Sequence, residues 1–293
     1  MHNQLIAPLA CKNSEEMLHI VWLSSIRLAM ITQLILIHWF KMLSQLHNII
    51  TRRRAPSLHQ KIFAYSKQVT PYLSGSYGSL SSKSIAMTND KSHIEIKRVY
   101  DGLAANHSEA SKAYWLTRTW DLVCWQPIYV TFVSIYGLHS LPDIKNIGQF
   151  RYKEFVTGYR FFNGDHQHGS PEELIPQAGA AILALTEFYR SQINEWTRIR
   201  PGFTNHLLAD LLLSSLIKLQ QHEPSLTNDY ITEQAKLWLE ACQLPDSHLD
   251  SLKVDANSGM LRLIRVSCCL VYKCDSGKYC DDCPRLPENK KIA

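Results

Sequence analysis

The clearest periodicity in the chain lies in "SPEELIPQAGAAILALTEFYRSQINEW". Leu174, Ala178, Ala181, Ile182, Leu185, Phe188 and Ile193 recur there at steps of three and four residues. That spacing predicts one long amphipathic helix with a buried face. Its start is marked by Ser170 as the capping residue, Pro171 at the first helical position and Glu173 completing a capping box. Residues 204–221 and 227–243 continue the same period on either side of "EPSLTN". Upstream, "SEASKAYWLTRTWDLVCWQPIYVTFVSIYGL" predicts a helix broken or bent near Pro127, whose ring removes a backbone donor and crowds the preceding turn. Between these blocks "IGQFRYKEFVTGYRFFNG" is rich in aromatic and β-favouring residues and predicts a small hairpin. The expected fold class is predominantly α (α+β): a helical body with a small antiparallel β-sheet, closed by a cysteine-rich C-terminal segment. The expected division is an N-terminal extension (1–56), a helical body (57–257) and the C-terminal segment (258–293).

The extension has its own pattern. Residues 18–40, "LHIVWLSSIRLAMITQLILIHWF", approach the length of a membrane span but include Arg27, Gln33 and two histidines. Glu15 and Glu16 stand where a signal peptide needs positive charge, and no small-residue cleavage site follows. Three readings compete: an amphipathic helix on the body or on a membrane surface, a signal-anchor, and a start codon assigned too early, with Met42 or Met87 as the true start. Lys41 and Arg52–Arg54 would hold the remainder of an inserted chain in the cytoplasm.

The net charge of +5 points to nucleic acid only if it is concentrated on the body. It is not: residues 1–56 carry six Lys and Arg against two Glu, which leaves 25 basic against 24 acidic residues in the rest. Nucleic-acid binding is therefore set aside. With 293 residues, 45% of them hydrophobic, the chain can bury a sizeable core without disulfides. Thiols here need a reason other than stability.

Five of the eight cysteines (Cys268, Cys269, Cys274, Cys280 and Cys283) fall within sixteen residues, in "RVSCCLVYKCDSGKYCDDCPRLP". Clustering of this kind favours metal binding by reduced thiols in a cytoplasmic setting over a secreted disulfide framework. A C-x-x-C closes easily on one metal centre, whereas adjacent cysteines tend to diverge. A zinc ribbon would use two C-x-x-C knuckles, while a [2Fe–2S] rhomb offers two irons and tolerates diverging sulfurs. Spacing alone leaves iron–sulfur, zinc and a non-metal role open.

The same stretch resembles the C-terminal signature of the bacterial siderophore-iron reductases, the ferric iron reductase (FhuF-like) family. In that family CC-x10-C-x2-C supplies the four ligands of a [2Fe–2S] cluster. Arg265, Tyr272, Gly277 and Tyr279 fill flanking places that also recur there. The resemblance implies that Cys268, Cys269, Cys280 and Cys283 hold a [2Fe–2S] cluster and that Cys274 is outside the set. It further implies a cytoplasmic reductase that passes one electron to siderophore-bound Fe(III). The N-terminal segment, which has no place in the resemblance, separately leaves peripheral contact at the inner face of the membrane an option. No G-x-G-x-x-G follows a strand, so no bound flavin or nicotinamide is expected and a separate donor such as a reduced ferredoxin is implied. Arg262, Arg265, Lys273, Lys278, His166 and His168 are candidates for docking the ferric siderophore or the donor. The rival readings are a zinc-stabilised helical interaction protein and an electron-transfer protein with another acceptor.

The remaining candidates have plainer explanations. Trp115, Trp120, Trp125 and Tyr114, at this spacing on a helix, read as core before they read as a ligand pocket. Arg151 and Arg160 read as the solvated side of the hairpin. Cys124 and Cys242, in apolar helical surroundings, read as small buried hydrophobes.

Overall fold

The computed structural model describes residues 57–275 and 277–291. The competing readings of residues 18–40 therefore lie outside the described residues. From Ser57 onward the chain forms one compact unit. No helix of the described residues is long and apolar enough to cross a membrane.

Helix α1 (Leu58–Val69) is opened by a capping box between Ser57 and Gln60 and buries Ile62. Helices α2 (Ser92–Asn106) and α3 (Ser111–Leu138) follow, then α4 (Pro171–Asn194), α5 (Pro201–His222) and α6 (Asn228–Ala241).

The cap predicted at Ser170 forms as read: Ser170 Oγ accepts from the Glu173 amide and Glu173 Oε2 accepts from the Ser170 amide at 2.8 Å. Such a cap contributes on the order of 1 kcal/mol. Leu174, Ala178, Ile182, Leu185 and Ile193 are buried along α4. Trp120 and Tyr114 are buried, and Trp115 and Trp125 pack against the core, as expected of core aromatics.

Helix α3 packs against α1, α2, α4 and α5. Its buried hydroxyls are satisfied within the helix: Thr117, Thr119, Thr131 and Ser134 each donate to the carbonyl four residues earlier. Of the two outcomes expected at Pro127, a break does not occur: α3 runs as one helix from Ser111 to Leu138. Proline leaves the carbonyl of Val123 without its usual donor, and the Gln149 side-chain amide supplies it at 2.9 Å, while also donating to the Tyr189 hydroxyl at 2.8 Å. The orphaned acceptor is met by tertiary structure.

The predicted hairpin is β4 (Ile147–Tyr152) and β5 (Phe155–Phe161), antiparallel, with Tyr152 opposite Phe155. Two short strands, β1 (Gly75–Tyr77) and β2 (Ser84–Ile85), extend it to the order β1-β5-β4-β2. β1 joins parallel to β5, so this sheet is mixed at one edge. Antiparallel pairs complete the β content: β3 (Ser140–Pro142) with β6 (His166–His168), and β7 (Leu252–Val254) with β8 (Leu261–Leu263). Arg151 corrects the reading of a merely solvated side. Its Nε donates to the buried Glu95 at 3.0 Å, and Arg98 also pairs with Glu95. Arg160 donates to Ser76 Oγ and to the Ser79 carbonyl.

Candidate metal centre

The β7–β8 hairpin delivers the chain to the cysteine segment. Ile264 is held by its amide on the Ser251 carbonyl at 2.8 Å, and the Arg265 amide bonds the Asp282 carbonyl at 2.9 Å. That second bond joins the entry of the segment to its far end. Asn289, fully buried, closes the exit by donating to the carbonyls of Asp281 at 2.8 Å and Cys283 at 3.0 Å.

The two residues before the cysteine pair are fixed from α5. Asp210, 3% exposed, accepts from the amides of Val266 at 3.0 Å and Ser267 at 2.8 Å, and from the Ser267 hydroxyl. Burial raises the Asp210 carboxyl above its ordinary range, opposed by these donors. Leu270, just past the pair, adopts a left-handed conformation with φ of 60° and turns the chain into a short 3₁₀ turn, Val271–Lys273. Gly277 is required by close approach: a Cβ there would sit 1.9 Å from the Val271 carbonyl oxygen.

These constraints bring four thiols into two pairs. Cys268 Sγ lies 3.9 Å from Cys283 Sγ, and Cys269 Sγ lies 3.3 Å from Cys280 Sγ. Two thiolates on one tetrahedral metal with bonds of about 2.3 Å stand about 3.7 Å apart, so each pair suits one metal ion. The neighbours Cys268 and Cys269 point to different pairs, as diverging adjacent side chains should. Cys280 and Cys283, the two ends of the C-x-x-C, likewise go to different pairs. Among the described residues, the set of three or more His, Cys, Asp and Glu ligand atoms within 4.8 Å of one another lies elsewhere, at His107, Glu109 and Cys274. The four thiols stand as two pairs, an arrangement that fits a binuclear group with one pair on each metal ion.

The surroundings of the sulfurs are those of a tuned centre. Arg265 reaches the Cys269 sulfur at 3.7 Å with the nitrogen that also pairs with Asp282 at 2.9 Å. Burial works against the Arg265 charge, but Asp282 and the Cys269 sulfur outweigh it and raise its affinity for the proton. The Arg285 amide donates to the Cys283 sulfur at 3.4 Å. Burial pushes the Cys280 thiol up to about 11, assisted by its contact with Cys269, and also raises Cys268. Thiols of this kind give up their protons to a bound metal. A further carboxylate, Asp121 on α3, is pushed up to about 6 by burial, against the pull of Arg118 and Arg265. Cys124 and Cys242 are buried with raised thiols and are inert, as expected.

The other sequence candidates separate clearly. Lys273 and Lys278 are exposed on the cysteine loop. Arg262 is tied down, bonded to Asn289 and 3.8 Å from Asp255. His166 and His168 are exposed on β6, paired with β3, and the structure does not bring them to the thiols. Instead His166 lines a separate cavity of about 540 Å³ with Asp143, Lys145 and Gln177. A larger cleft of about 1000 Å³ opens on Cys280, with Lys218 of α5, Arg262, Asp281 and Glu288 among its walls. Asp210, Asp121 and Asn289 were missed in the sequence reading; the one available signal was a lone Asp in the otherwise apolar run "LLADLLL".

No solved structure matches the chain. Residues 265–285, the stretch whose thiols form the two pairs, match the family model of the FhuF 2Fe-2S C-terminal domain, so the end of this chain carries the signature of an iron–sulfur domain.

Proposed function

We propose that this chain is a ferric-siderophore reductase of the cell interior, in which Cys268 and Cys283 hold one iron and Cys269 and Cys280 the other iron of a [2Fe–2S] cluster. The observation that carries the reading is the two-pair arrangement of thiols within the FhuF-type segment. When bound, the cluster supplies a one-electron centre able to reduce siderophore-held Fe(III), and Fe(II), softer and lower in charge, is released from hard oxygen ligands.

The protein's own residues set the conditions. Arg265 and the Arg285 amide direct positive character at the sulfurs and favour the more negative, reduced state. Asp281 and Asp282 act the other way. Asp210, Asn289 and the Arg265–Asp282 backbone bond hold the ligand loop in one geometry, which lessens reorganisation during electron transfer.

The cleft beside Cys280 is the docking place in this proposal. Its walls carry Asp255, Asp281, Asp282 and Glu288 against Lys218 and Arg262. Carboxylates outnumber cations, so neutral or cationic ferric complexes should enter more readily than highly anionic ones. Lys273 and Lys278 lie on the loop outside it and suit an acidic electron donor such as a reduced ferredoxin.

The test is anaerobic purification followed by iron and sulfide analysis, then mixing of dithionite-reduced protein with ferric hydroxamates and trapping of Fe(II). The proposal expects two irons and two sulfides per chain and rapid cluster oxidation. Colourless protein with one zinc on four sulfurs would overturn the cofactor assignment; oxidation no faster than with unrelated acceptors would leave an electron carrier with a different partner.

A further inference from the structure

Cys274 is outside both thiol pairs, and its surroundings differ from theirs. The short 3₁₀ turn Val271–Lys273 rests on the start of α3 and on a second 3₁₀ turn, Ser108–Ala110, which bridges α2 and α3. This contact brings Cys274 Sγ, a His107 ring nitrogen and a Glu109 carboxylate oxygen within 4.8 Å of one another. His107 Nδ1 and Glu109 Oε1 already stand 3.6 Å apart.

The ring and carboxylate are held from behind. His107 sits at the C-cap of α2, with its carbonyl accepting from Trp115 Nε1 at 2.7 Å and its ring edge-on to Tyr114 at 5.6 Å. Glu109 Oε1 accepts from the Asp275 amide at 3.3 Å. The histidine and glutamate come from one turn of the helical body, and the cysteine from the cysteine loop, 165 positions beyond Glu109.

We propose that His107, Glu109 and Cys274 form a second metal site, separate from the four-thiol centre, that takes a divalent ion of borderline softness with Zn²⁺ the favoured occupant. One nitrogen, one oxygen and one sulfur donor suit Zn²⁺, whose tetrahedral shell places ligand atoms about 3.2–3.8 Å apart, within side-chain rotation of the spacing present. Three protein ligands leave the fourth position to water. The three donors are half-buried or exposed, so the ion enters from solvent. Once bound, it ties the cysteine loop to the α2–α3 junction and gives Cys274 a role that its exclusion from the thiol pairs leaves open.

The experiment uses the full chain isolated anaerobically with its iron and sulfide in place. It is dialysed against Zn²⁺ and then against a weak chelator, followed by metal analysis and zinc-edge X-ray absorption. The expected result is a single retained zinc with one sulfur and otherwise nitrogen and oxygen neighbours. That zinc should be lost in Cys274→Ala and in Glu109→Gln, the second a surface change that leaves the fold alone, with iron and sulfide content unchanged in both. Zinc retained in either variant, zinc surrounded by four sulfurs, no retained zinc, or loss of iron in Cys274→Ala would each overturn the proposal.

Discussion

Replacing Asp210 by alanine tests whether the ligand loop is held from the helical body. Its carboxylate receives two backbone amides and one hydroxyl from Val266 and Ser267, immediately before Cys268, at a position only 3% exposed. Truncation leaves both amides without an acceptor in a site too closed for full solvation. An unsatisfied buried donor costs about 1–3 kcal/mol, so roughly 3 kcal/mol is a conservative figure for the pair. At about 1.4 kcal/mol per decade, the population of an opened loop rises on the order of 100-fold. The readout is the rate at which a ferrous chelator strips iron from anaerobic protein, measured beside far-UV circular dichroism. Wild type should be slowest, Asp210→Asn intermediate because its amide oxygen still accepts, and Asp210→Ala fastest, with helix content preserved. Iron loss from Asp210→Ala within twofold of wild type would refute the idea that these bonds hold the loop.

Four further outcomes are expected. Serine at Cys268, Cys269, Cys280 or Cys283 should abolish the normal visible spectrum, whereas Cys274→Ser should leave it intact; a normally coloured Cys269→Ser protein would show the ligand set to be misassigned. Gly277→Ala, which forces a methyl against the Val271 carbonyl, should lower iron incorporation sharply, as metal analysis would reveal. Gln149→Leu strands the Val123 carbonyl and the Tyr189 hydroxyl and should cost about 2–4 kcal/mol in denaturant unfolding; a change under about 0.5 kcal/mol would contradict the account of Pro127. Asp121 is raised from 3.8 unfolded to about 6 folded, so its contribution to stability is complete below pH 3.8 and lost as pH rises through 6. Asp121→Asn should therefore be more stable than wild type at pH 7 and flatten the decline between about pH 4 and pH 6, read from guanidinium midpoints.

Much of the framework was legible in the sequence because local chemistry and tertiary outcome agree. The Ser170 capping box, the three- and four-residue steps of α4 and the β-favouring run of β4 and β5 each specify their element within a short window. At Pro127 the sequence left break and bend open for a physical reason: the outcome depends on whether another residue supplies the missing donor, and Gln149 lies 22 positions later. The mixed edge of the sheet is similar, since β1 meets β5 across more than 80 residues. At the metal centre the four thiols were visible by type and spacing, yet their partners were not. Spacing along a chain cannot say that Cys280 faces Cys269 and not Cys283. Asp210 escaped notice because a carboxylate on an apolar face gives a signal only when its buried donors are known. Arg262 and the two β6 histidines, by contrast, were placed by residue type alone: Arg262 lines the cleft beside Cys280, while the histidines sit on β6, where His166 lines a different cavity.

The crosswise pairing of the thiols also bears on how the centre is built. Cys268 with Cys283 closes a loop of sixteen residues, and Cys269 with Cys280 closes a smaller loop nested wholly inside it. Closing nested loops is far less costly in chain entropy than closing two independent ones, because the outer closure has already confined the ends of the inner. Whichever pair captures iron first therefore presents the second nearly assembled. Loading should be all-or-none, with chains carrying a single iron scarce at every stage of reconstitution.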